Sequence, residues 1–168
     1  MNTGVSSTEK VAQVILSSEL LAHWQGHRAL TRKLIEKFPE KDFFEYSIGG
    51  MRTFAEIVQE LLSIGGPGTK EIVTGVTTVQ NEHIAHGNSK QKVLELWDKE
   101  TKEINENWSK INISRFHEEI KSFGLYEGTV QSAILYFIDN EIHHRGQGYV
   151  YLRSLNIEPP MFWDRNTL

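Results

Sequence analysis

The most informative stretch of this chain is Glu141-Ile142-His143-His144-Arg145-Gly146-Gln147, which lies late in a long segment with helical periodicity. Adjacent histidines followed by arginine, glycine and glutamine are unfavourable on an ordinary surface helix. Imidazoles lose side-chain entropy there, and a glycine inside a helix costs about 1 kcal/mol relative to alanine. Helix stability therefore does not explain these residues. They indicate a metal or proton site on one helix face, or a tight contact between helices at Gly146.

The composition of the chain is that of an ordinary globular protein, and 168 residues is a usual length for one domain. The net charge of −4 argues against nucleic acid as a partner, because no basic surplus exists to neutralise phosphates. There is no cysteine, so any metal must use histidine, carboxylate, amide or water ligands. No apolar stretch has the length of a signal region or a membrane span, so we expect a cytoplasmic protein.

Four amphipathic segments, in which apolar residues recur every three or four positions, predict an all-α four-helix bundle. Their predicted bounds are a cap at Ser7 or Thr8 to Phe38, Thr53 to Val76, a cap at Asn88 or Ser89 to Trp108, and Thr129 to Asn156. The second segment is expected to break or kink at Pro67, because proline lacks an N–H donor. Residues 39–52 and 77–88 are predicted loops, and residues 109–126 are predicted to form short strand-like or helical pieces.

The last helix has one face that is unusually polar for a bundle core, since residues three and four apart lie on the same side of a helix. This face carries Asn140, His144, Gln147 and Tyr151. Inward polar side chains of this kind form the small-ligand and metal sites of helical bundles. The alternative is that His143 and Arg145 are solvated and that His144 is hydrogen-bonded in the core.

Two further features could contribute to a site. His23 and His27 are four residues apart in the first helix, a spacing that can bring two imidazoles to one divalent ion, although either can instead pack beside Trp24. Glu60 lies among apolar residues of the second helix and is expected to face the interior, where a carboxylate is costly unless it is paired or coordinated. The alternative for Glu60 is a solvated position on the polar face of that helix.

Three stretches together resemble a known family. They are residues 51–60 (MRTFAEIVQE), residues 140–153, which begin NEIHHRGQ and are followed by Pro159-Pro160, and the region around Trp24. On these residues the chain resembles the DinB/YfiT-like superfamily, whose members are often described as DNA-damage-inducible or as metal-dependent enzymes. The resemblance implies one DinB-like four-helix bundle with a long crossover over residues 1–168. The family's name refers to induction, and nothing in the sequence indicates DNA binding.

The resemblance also implies a divalent metal ion held by three histidines, one on the second helix and two on the last. In this chain the three positions align with Glu60, Asn140 and His144, so only one of them is a histidine. Such an oxygen-rich set would bind late transition metals less tightly than three imidazoles do. Nickel, zinc, manganese and iron are the candidate ions, with His23 or His27 as a compensating ligand. The alternative is that the metal is lost and that Glu60 contacts His144 directly.

Two functions follow from the resemblance. The first is a metal-dependent enzyme similar to thiol S-transferases or hydrolases, in which Glu60, Asn140 and His144 hold the ion and Glu60 is also a candidate general base. A thiol cosubstrate or water would supply the nucleophile, because the metal lowers its pKa towards neutrality. The expected substrate-binding residues are Gln147, Tyr151, His143, Trp24 and His27. The second function is a non-catalytic stress-response or small-ligand-binding bundle without the metal.

The family resemblance further implies a homodimer that forms through helix faces. The sequence contains enough aromatic surface for such an interface, although the same residues could belong to the core. These residues are Trp97, Trp108, Phe162 and Trp163. The expected partners are therefore a small-molecule ligand or thiol cosubstrate and a second copy of the chain, with no nucleic acid and no membrane.

Overall fold

The computed structural model describes residues 14–166, and within that range the chain forms five α-helices, one 3-10 helix and one two-stranded hairpin. The bounds are α1 Ser17–Lys37, α2 Glu40–Glu45, α3 Phe54–Thr74, α4 Lys90–Trp108, the 3-10 helix Ile113–His117, β1 Glu119–Ser122, β2 Tyr126–Thr129 and α5 Val130–Ser154. The four long helices α1, α3, α4 and α5 pack against one another as a bundle. The predicted all-α four-helix bundle is confirmed, and a small hairpin is added to it.

Side-chain caps fix the starts of the two helices that carry the candidate site. The hydroxyl of Thr53 accepts a hydrogen bond from the N–H of Glu56, and the Glu56 carboxylate accepts one from the N–H of Thr53 at 2.7 Å. This reciprocal pair is a capping box, which satisfies two N–H donors at the start of α3. The hydroxyl of Thr129 accepts from the N–H of Ser132 in the same way at the start of α5. Both starts agree with the sequence prediction.

The core consists of two hydrophobic clusters. One cluster contains Leu34, Phe38, Phe43, Phe54, Trp97 and Tyr151 among its members. The other contains Trp24, Ile104, Trp108, Ile134 and Phe137. Along α1, α4 and α5, the buried residues between the two clusters are charged or polar apart from Leu30 and two glycines, so the bundle has a largely polar layer between two apolar ones.

The first helix begins later than predicted. Residues 14–16 are not helical, and α1 begins at Ser17 with the Glu19 carboxylate accepting a hydrogen bond from the N–H of Leu16. The side chains of Val14 and Ile15 are exposed, so no buried contact holds this turn in the helix. The predicted cap at Ser7 or Thr8 lies outside the described residues.

The predicted loop over residues 39–52 was wrong in part, because α2 occupies Glu40–Glu45. Pro39 ends α1 as predicted, but it also begins α2, since a proline at the start of a helix removes no intrahelical hydrogen bond. The ring of Phe43 is fully buried and contacts the rings of Phe38 and Phe54 edge-on. This contact holds the short helix against the bundle.

Of the break or kink predicted at Pro67, the break was wrong, because α3 continues to Thr74. The N–H of Gly66, one residue before the proline, donates to the Glu100 carboxylate of α4 at 2.7 Å. A Cβ atom at Gly66 would lie 2.7 Å from Cγ of Glu100, so α4 packs directly on the glycine backbone. Tertiary contact with α4 therefore supports the helix across the proline.

Residues 109–126 form the short strand-like and helical pieces that the sequence predicted, and the strands, which extend to Thr129, pair as an antiparallel hairpin that leads directly into α5. Glu119 pairs with Thr129 and Ser122 with Tyr126, so three residues form the turn. Phe123 and Gly124 in this turn both adopt positive φ. The hairpin packs on the first turns of α5. No helix of residues 14–166 combines the length and the apolarity that crossing a membrane would require.

The tight helix contact occurs at Gly148, whereas the sequence placed it at Gly146. A Cβ atom at Gly148 would lie 2.5 Å from the Phe54 ring and 2.8 Å from Leu34. A Cβ atom at Gly146 would meet no atom within 4 Å. The close approach of α5 to α1 and α3 therefore depends on Gly148.

Candidate functional site

The packing of α5 against α3 brings Glu60 and His144 together. Nε2 of His144 lies 3.0 Å from Oε1 of Glu60, and the two side chains are 10% and 16% exposed. Glu60 lies one turn after Glu56 on α3, and Asn140 lies one turn before His144 on α5. We call the contact the Glu60–His144 pair. It joins two of the three positions at which the resemblance places metal ligands.

Arg52 occupies the other side of the Glu60 carboxylate. Its guanidinium donates to Oε2 of Glu60 and, at 3.3 Å, to the carboxylate of Glu82. The hydroxyl of Tyr151 donates to the backbone carbonyl of Arg52 at 2.6 Å and so fixes the residue that carries the guanidinium. Both oxygens of Glu60 are therefore hydrogen-bonded, one to a cation and one to an imidazole.

These neighbours determine the protonation state of Glu60. Burial raises the pKa of this carboxyl, but the hydrogen bond from Arg52 and the charges of His144 and Arg52 lower it more, so the net pKa is below its ordinary value of 4.5. Glu60 is therefore ionised at neutral pH and acts only as an acceptor. The proton between Glu60 and His144 belongs to Nε2 of the imidazole.

Two polar atoms beside the pair have no hydrogen-bond partner among residues 14–166. They are Nδ2 of Asn140 and Nδ1 of His144. The two residues are 9% and 8% exposed, so neither atom is simply at an open surface. Buried polar groups in folded proteins are generally hydrogen-bonded. The unpaired atoms therefore leave hydrogen-bonding capacity on the face of α5 that the sequence singled out.

The residues present do not fit the divalent ion that the family resemblance implies. Of the three aligned residues only Glu60 is a carboxylate, and the guanidinium of Arg52 already neutralises its charge. Asn140 is a neutral, weak ligand. A metal-bound histidine normally donates its second N–H to a partner, but Nδ1 of His144 has none in the described chain. Within residues 14–166, moreover, no three His, Cys, Asp or Glu side chains are grouped so that they could hold an ion.

The predicted substrate-binding residues of α5 have different environments. His143 is exposed, and the Gln147 amide lies 2.9 Å from its Nε2. Tyr151 is fully buried, and its hydroxyl donates to the backbone carbonyl of Arg52. It therefore positions the arginine that contacts Glu60. The solvated alternative holds for His143 but not for Arg145, which is buried.

Trp24 and His27 lie in the core, away from the Glu60–His144 pair. The indole N–H of Trp24 donates to Glu141 at 3.3 Å, and Arg145 donates to Nδ1 of His27 at 2.8 Å. Because Nδ1 accepts, the proton of neutral His27 is on Nε2, which faces Nε2 of His23 at 3.1 Å. Burial and, to a lesser extent, Arg145 lower the pKa of His27 to about 3. The hypothesis that His23 and His27 bind a divalent ion stays a prediction.

Four charged residues that the sequence analysis did not select meet between the two hydrophobic clusters. Arg28 donates to Glu100 at 2.8 Å and lies 3.9 Å from Glu141, and Arg145 lies 3.9 Å from the same Glu141. Thr31 donates to Glu141 at 2.6 Å. We call Arg28, Glu100, Glu141 and Arg145 the core charge network. Two cations and two carboxylates balance one another there.

A signal for this network is present in the sequence. Glu100 continues the stripe of Val93 and Trp97, which are spaced as on one face of a helix and lead to Ile104. Arg28 lies four residues after Trp24 on the inward face of α1. A charged residue within an apolar stripe indicates a buried ion pair, and this criterion would have found both residues.

The aromatic residues expected at a dimer interface divide into two groups. Trp97 and Trp108 are core residues, and Arg28 stacks on the Trp97 ring at 3.4 Å from its centroid. Phe162 and Trp163 are 63% and 66% exposed. Only the second pair provides aromatic surface, and the homodimer stays a prediction.

Comparisons with known proteins identify the family. The DinB family model matches residues 7–167, so the chain belongs to the DinB family. A DinB-like protein from Bacillus cereus has a similar structure, with a TM-score of 0.72 at 14% identity over 87% of this chain and 97% of that one. The DinB-like protein YjoA of Bacillus subtilis gives a TM-score of 0.69 at 20% identity over 85% and 96%. No curated protein matches the chain. At these identities the two structures establish the shared fold.

Proposed function

We propose that this DinB-family chain is a non-catalytic bundle that binds a small neutral ligand and has no resident metal ion. The observation that supports the proposal is the Glu60–His144 pair, which occupies the position where the resemblance implies an ion. Arg52 completes the hydrogen bonding of the carboxylate. Arg52 and His144 thus keep Glu60 paired without a metal ion, which removes the physical need for one.

The unpaired atoms beside the pair define the chemistry of the ligand. In the neutral form of His144, the Nε2 proton faces ionised Glu60 and Nδ1 is an acceptor. Nδ2 of Asn140 is a donor. A ligand group that donates to one atom and accepts from the other satisfies both, and a hydroxyl or a carboxamide has this property. An anion would meet the negative charge of Glu60.

The competing hypothesis is a metal-dependent enzyme with a thiol or water nucleophile. It requires an ion at Glu60, Asn140 and His144. The two hypotheses predict different effects of restoring the family's three histidines. If the site has lost its ion, only the variant with three histidines should bind metal, whereas the enzyme hypothesis requires that the native residues bind it.

The experiment compares the wild-type protein with the double variant Glu60→His/Asn140→His during thermal unfolding with Ni²⁺ or Zn²⁺. A ligand at a hundredfold excess over its dissociation constant stabilises a protein by about 2.7 kcal/mol, which raises the Tm by about 5–10 °C for a chain of this length. We expect this rise in the double variant and a change under 1 °C in the wild type. Adding His144→Ala to the double variant should abolish the rise.

The opposite result would contradict the proposal. If the wild-type Tm rises by several degrees with either ion, and the rise is absent in His144→Ala, the native residues bind metal. The enzyme hypothesis would then become the working model, and transfer of a low-molecular-weight thiol would be the reaction to assay.

A further inference from the structure

An aromatic cleft lies between the hairpin and α5. Four aromatic residues line it, together with Ala133 and small polar residues of the hairpin and of α5. The aromatic residues are Phe123, Tyr126, Tyr136 and Phe137. The cleft has a volume of about 190 Å³. An apolar cavity of about 150 Å³ holds one benzene molecule. The volume of the cleft is therefore sufficient for one aromatic ring and the first atom of its substituent.

The rings of the cleft form two pairs. Tyr126 and Tyr136 are about half exposed and stack with their centroids 6.1 Å apart and an interplanar angle of 29°. Phe123 and Phe137 are buried and contact each other edge-to-face at 6.0 Å. The buried pair forms an apolar base and the half-exposed pair forms the mouth. Aromatic side chains in this arrangement favour another ring, which can stack on them or meet their edges.

Helical spacing places one residue of the cleft, Tyr136, on the same face of α5 as the polar positions of the proposed site. Tyr136, Asn140 and His144 are spaced by four residues, which places them one above the other on that face. Burial and, to a lesser extent, the neighbouring Tyr126 and Glu60 raise the pKa of Tyr136. Four residues of helix correspond to a rise of about 6 Å between Tyr136 and Asn140.

We propose that the aromatic cleft binds the apolar end of the ligand and that the ligand is an arylalkyl alcohol or amide. One ring fills the cleft, and a chain of two or three carbons carries a hydroxyl or carboxamide to Asn140 and His144. We call the cleft, as the binding site of this ring, the ring subsite, and it rests on the observed cleft alone. The contact of the ligand's polar group with Asn140 and His144 rests on the proposed function. A purely aliphatic alcohol lacks the group that the stacked tyrosines recognise.

The probe is 3-phenylpropan-1-ol, and its binding is followed by protein-observed NMR titration with 1-propanol as the control compound. We expect saturable binding with a dissociation constant of about 1 mM or below, as for a ligand of this size in a preformed pocket. The control compound should not saturate. Shifts should concentrate on residues of the hairpin and the first half of α5.

Two substitutions of the same kind test the location. Ala133→Leu fills the cleft and should weaken binding at least tenfold, whereas Ala29→Leu enlarges a side chain in the separate groove between α1 and α4 and should leave binding unchanged. If Ala133→Leu does not fold, Tyr126→Ala is the second test, because this half-exposed residue can be truncated without opening the core. It should weaken binding about threefold or more.

The outcomes separate the two proposals. Probe binding that Ala133→Leu leaves unchanged, or no binding at all, would overturn the ring subsite, while the metal titration would still decide the proposed function. The variant Asn140→Leu tests the polar end of the ligand. If Ala133→Leu weakens probe binding and Asn140→Leu does not, the ring subsite is supported and the proposed contact of the ligand with Asn140 is contradicted. Loss of affinity in both variants supports both.

Discussion

Glu60 has two oxygens, and two different side chains satisfy them. His144 contacts one oxygen and Arg52 the other. A partly buried carboxylate is stable when it is paired and hydrogen-bonded, and the lowered pKa of Glu60 reflects this stabilisation. The residue that completes the pair, Arg52, comes from the segment before α3, eight positions earlier in the chain. An ion is therefore unnecessary for the electrostatics of this position.

Replacing Glu60 with glutamine should destabilise the fold at pH 7. We expect a loss of about 1–2 kcal/mol, since two hydrogen bonds to a charged group are weakened and Arg52 loses its partner. The loss should be equal with and without chelator. Urea unfolding measures it, and Glu95→Gln, which removes an exposed charge paired with Lys92, is the control with an expected effect below about 0.5 kcal/mol.

The same variant should show a defined pH dependence. Because the folded pKa of Glu60 is lowered, its contribution is present above the unfolded pKa and is lost as the pH falls through the folded value below 4.5. The difference between wild type and Glu60→Gln should therefore shrink on acidification. A difference at pH 7 that chelator removes would mean that an ion, and not Arg52, stabilises Glu60.

Within α5, two glycines have opposite surroundings. Gly148 lies against Phe54 and Leu34, where an added Cβ atom would overlap their side chains, whereas Gly146 faces open space. The sequence pattern drew attention to Gly146 because it belongs to the HHRG motif. Only the packing of α5 on α1 and α3 distinguishes the two positions.

The substitutions Gly146→Ala and Gly148→Ala should therefore change stability in opposite directions. We expect Gly146→Ala to stabilise the protein by about 0.5–1 kcal/mol, through the helix preference of alanine. Gly148→Ala should destabilise it by about 1–3 kcal/mol, through overpacking against aromatic and aliphatic side chains. Thermal unfolding checks both, and equal effects would show that α5 does not approach its neighbours as described.

The helices were predictable where local chemistry defines them. Thr53 and Thr129 are capping residues, and both helix starts were predicted from them. The break at Pro67 was not observed, because the contact between Gly66 and Glu100 depends on α4, which is distant in sequence. The helix α2 was missed because it is six residues long and is held by contacts of Phe43 with distant rings. Local signals do not contain such contacts.

The candidate site was predictable only in part. Glu60, Asn140 and His144 were found because the resemblance aligns them, and helical spacing places the last two on one face. The role of Arg52 could not be predicted from the sequence. The segment before α3 was a predicted loop, and the sequence pattern of a loop does not indicate where its side chains lie. The sequence motifs do not mark the core charge network, because Arg28 and Glu100 interrupt apolar stripes singly and their partners are distant in sequence.

The core charge network connects all four long helices of the bundle. Arg28 lies on α1, Glu100 on α4, and Glu141 and Arg145 on α5, while the N–H of Gly66 on α3 donates to Glu100. Breaking a buried ion pair by removing one partner is strongly destabilising, because it leaves an uncompensated charge. The network therefore links the stability of the whole bundle to the protonation of its carboxylates.

Glu100 should make stability depend on pH near neutrality. Burial, which outweighs the contacts with Arg28 and the Gly66 N–H, raises the pKa of Glu100 to about 7, and the charge of Glu141 adds to the rise. Between about pH 4.5 and pH 7, Glu100 therefore keeps its proton in the folded state but has lost it in the unfolded state. The resulting stabilisation of the fold is fully present below pH 4.5 and is lost as the pH rises through 7. Its full size is about 3 kcal/mol.

The variant Glu100→Gln removes this titration. Relative to wild type, its stability should increase as the pH rises from 5 to 8, by up to about 3 kcal/mol, whatever its stability at pH 5. Urea unfolding at several pH values measures the difference. Glu103→Gln on the same helix, which removes an exposed carboxylate, is the control and should show no such trend. A constant difference across this range would mean that Glu100 is ionised throughout.

Elemental analysis of the protein, purified without an affinity tag and analysed beside His144→Ala, tests whether a metal ion is resident at Glu60. We predict far less than one equivalent of nickel, zinc, manganese or iron in both proteins, because Arg52 and His144 already satisfy Glu60. Near-stoichiometric metal in the wild type that disappears in His144→Ala would contradict the account and establish Glu60, Asn140 and His144 as a metal site.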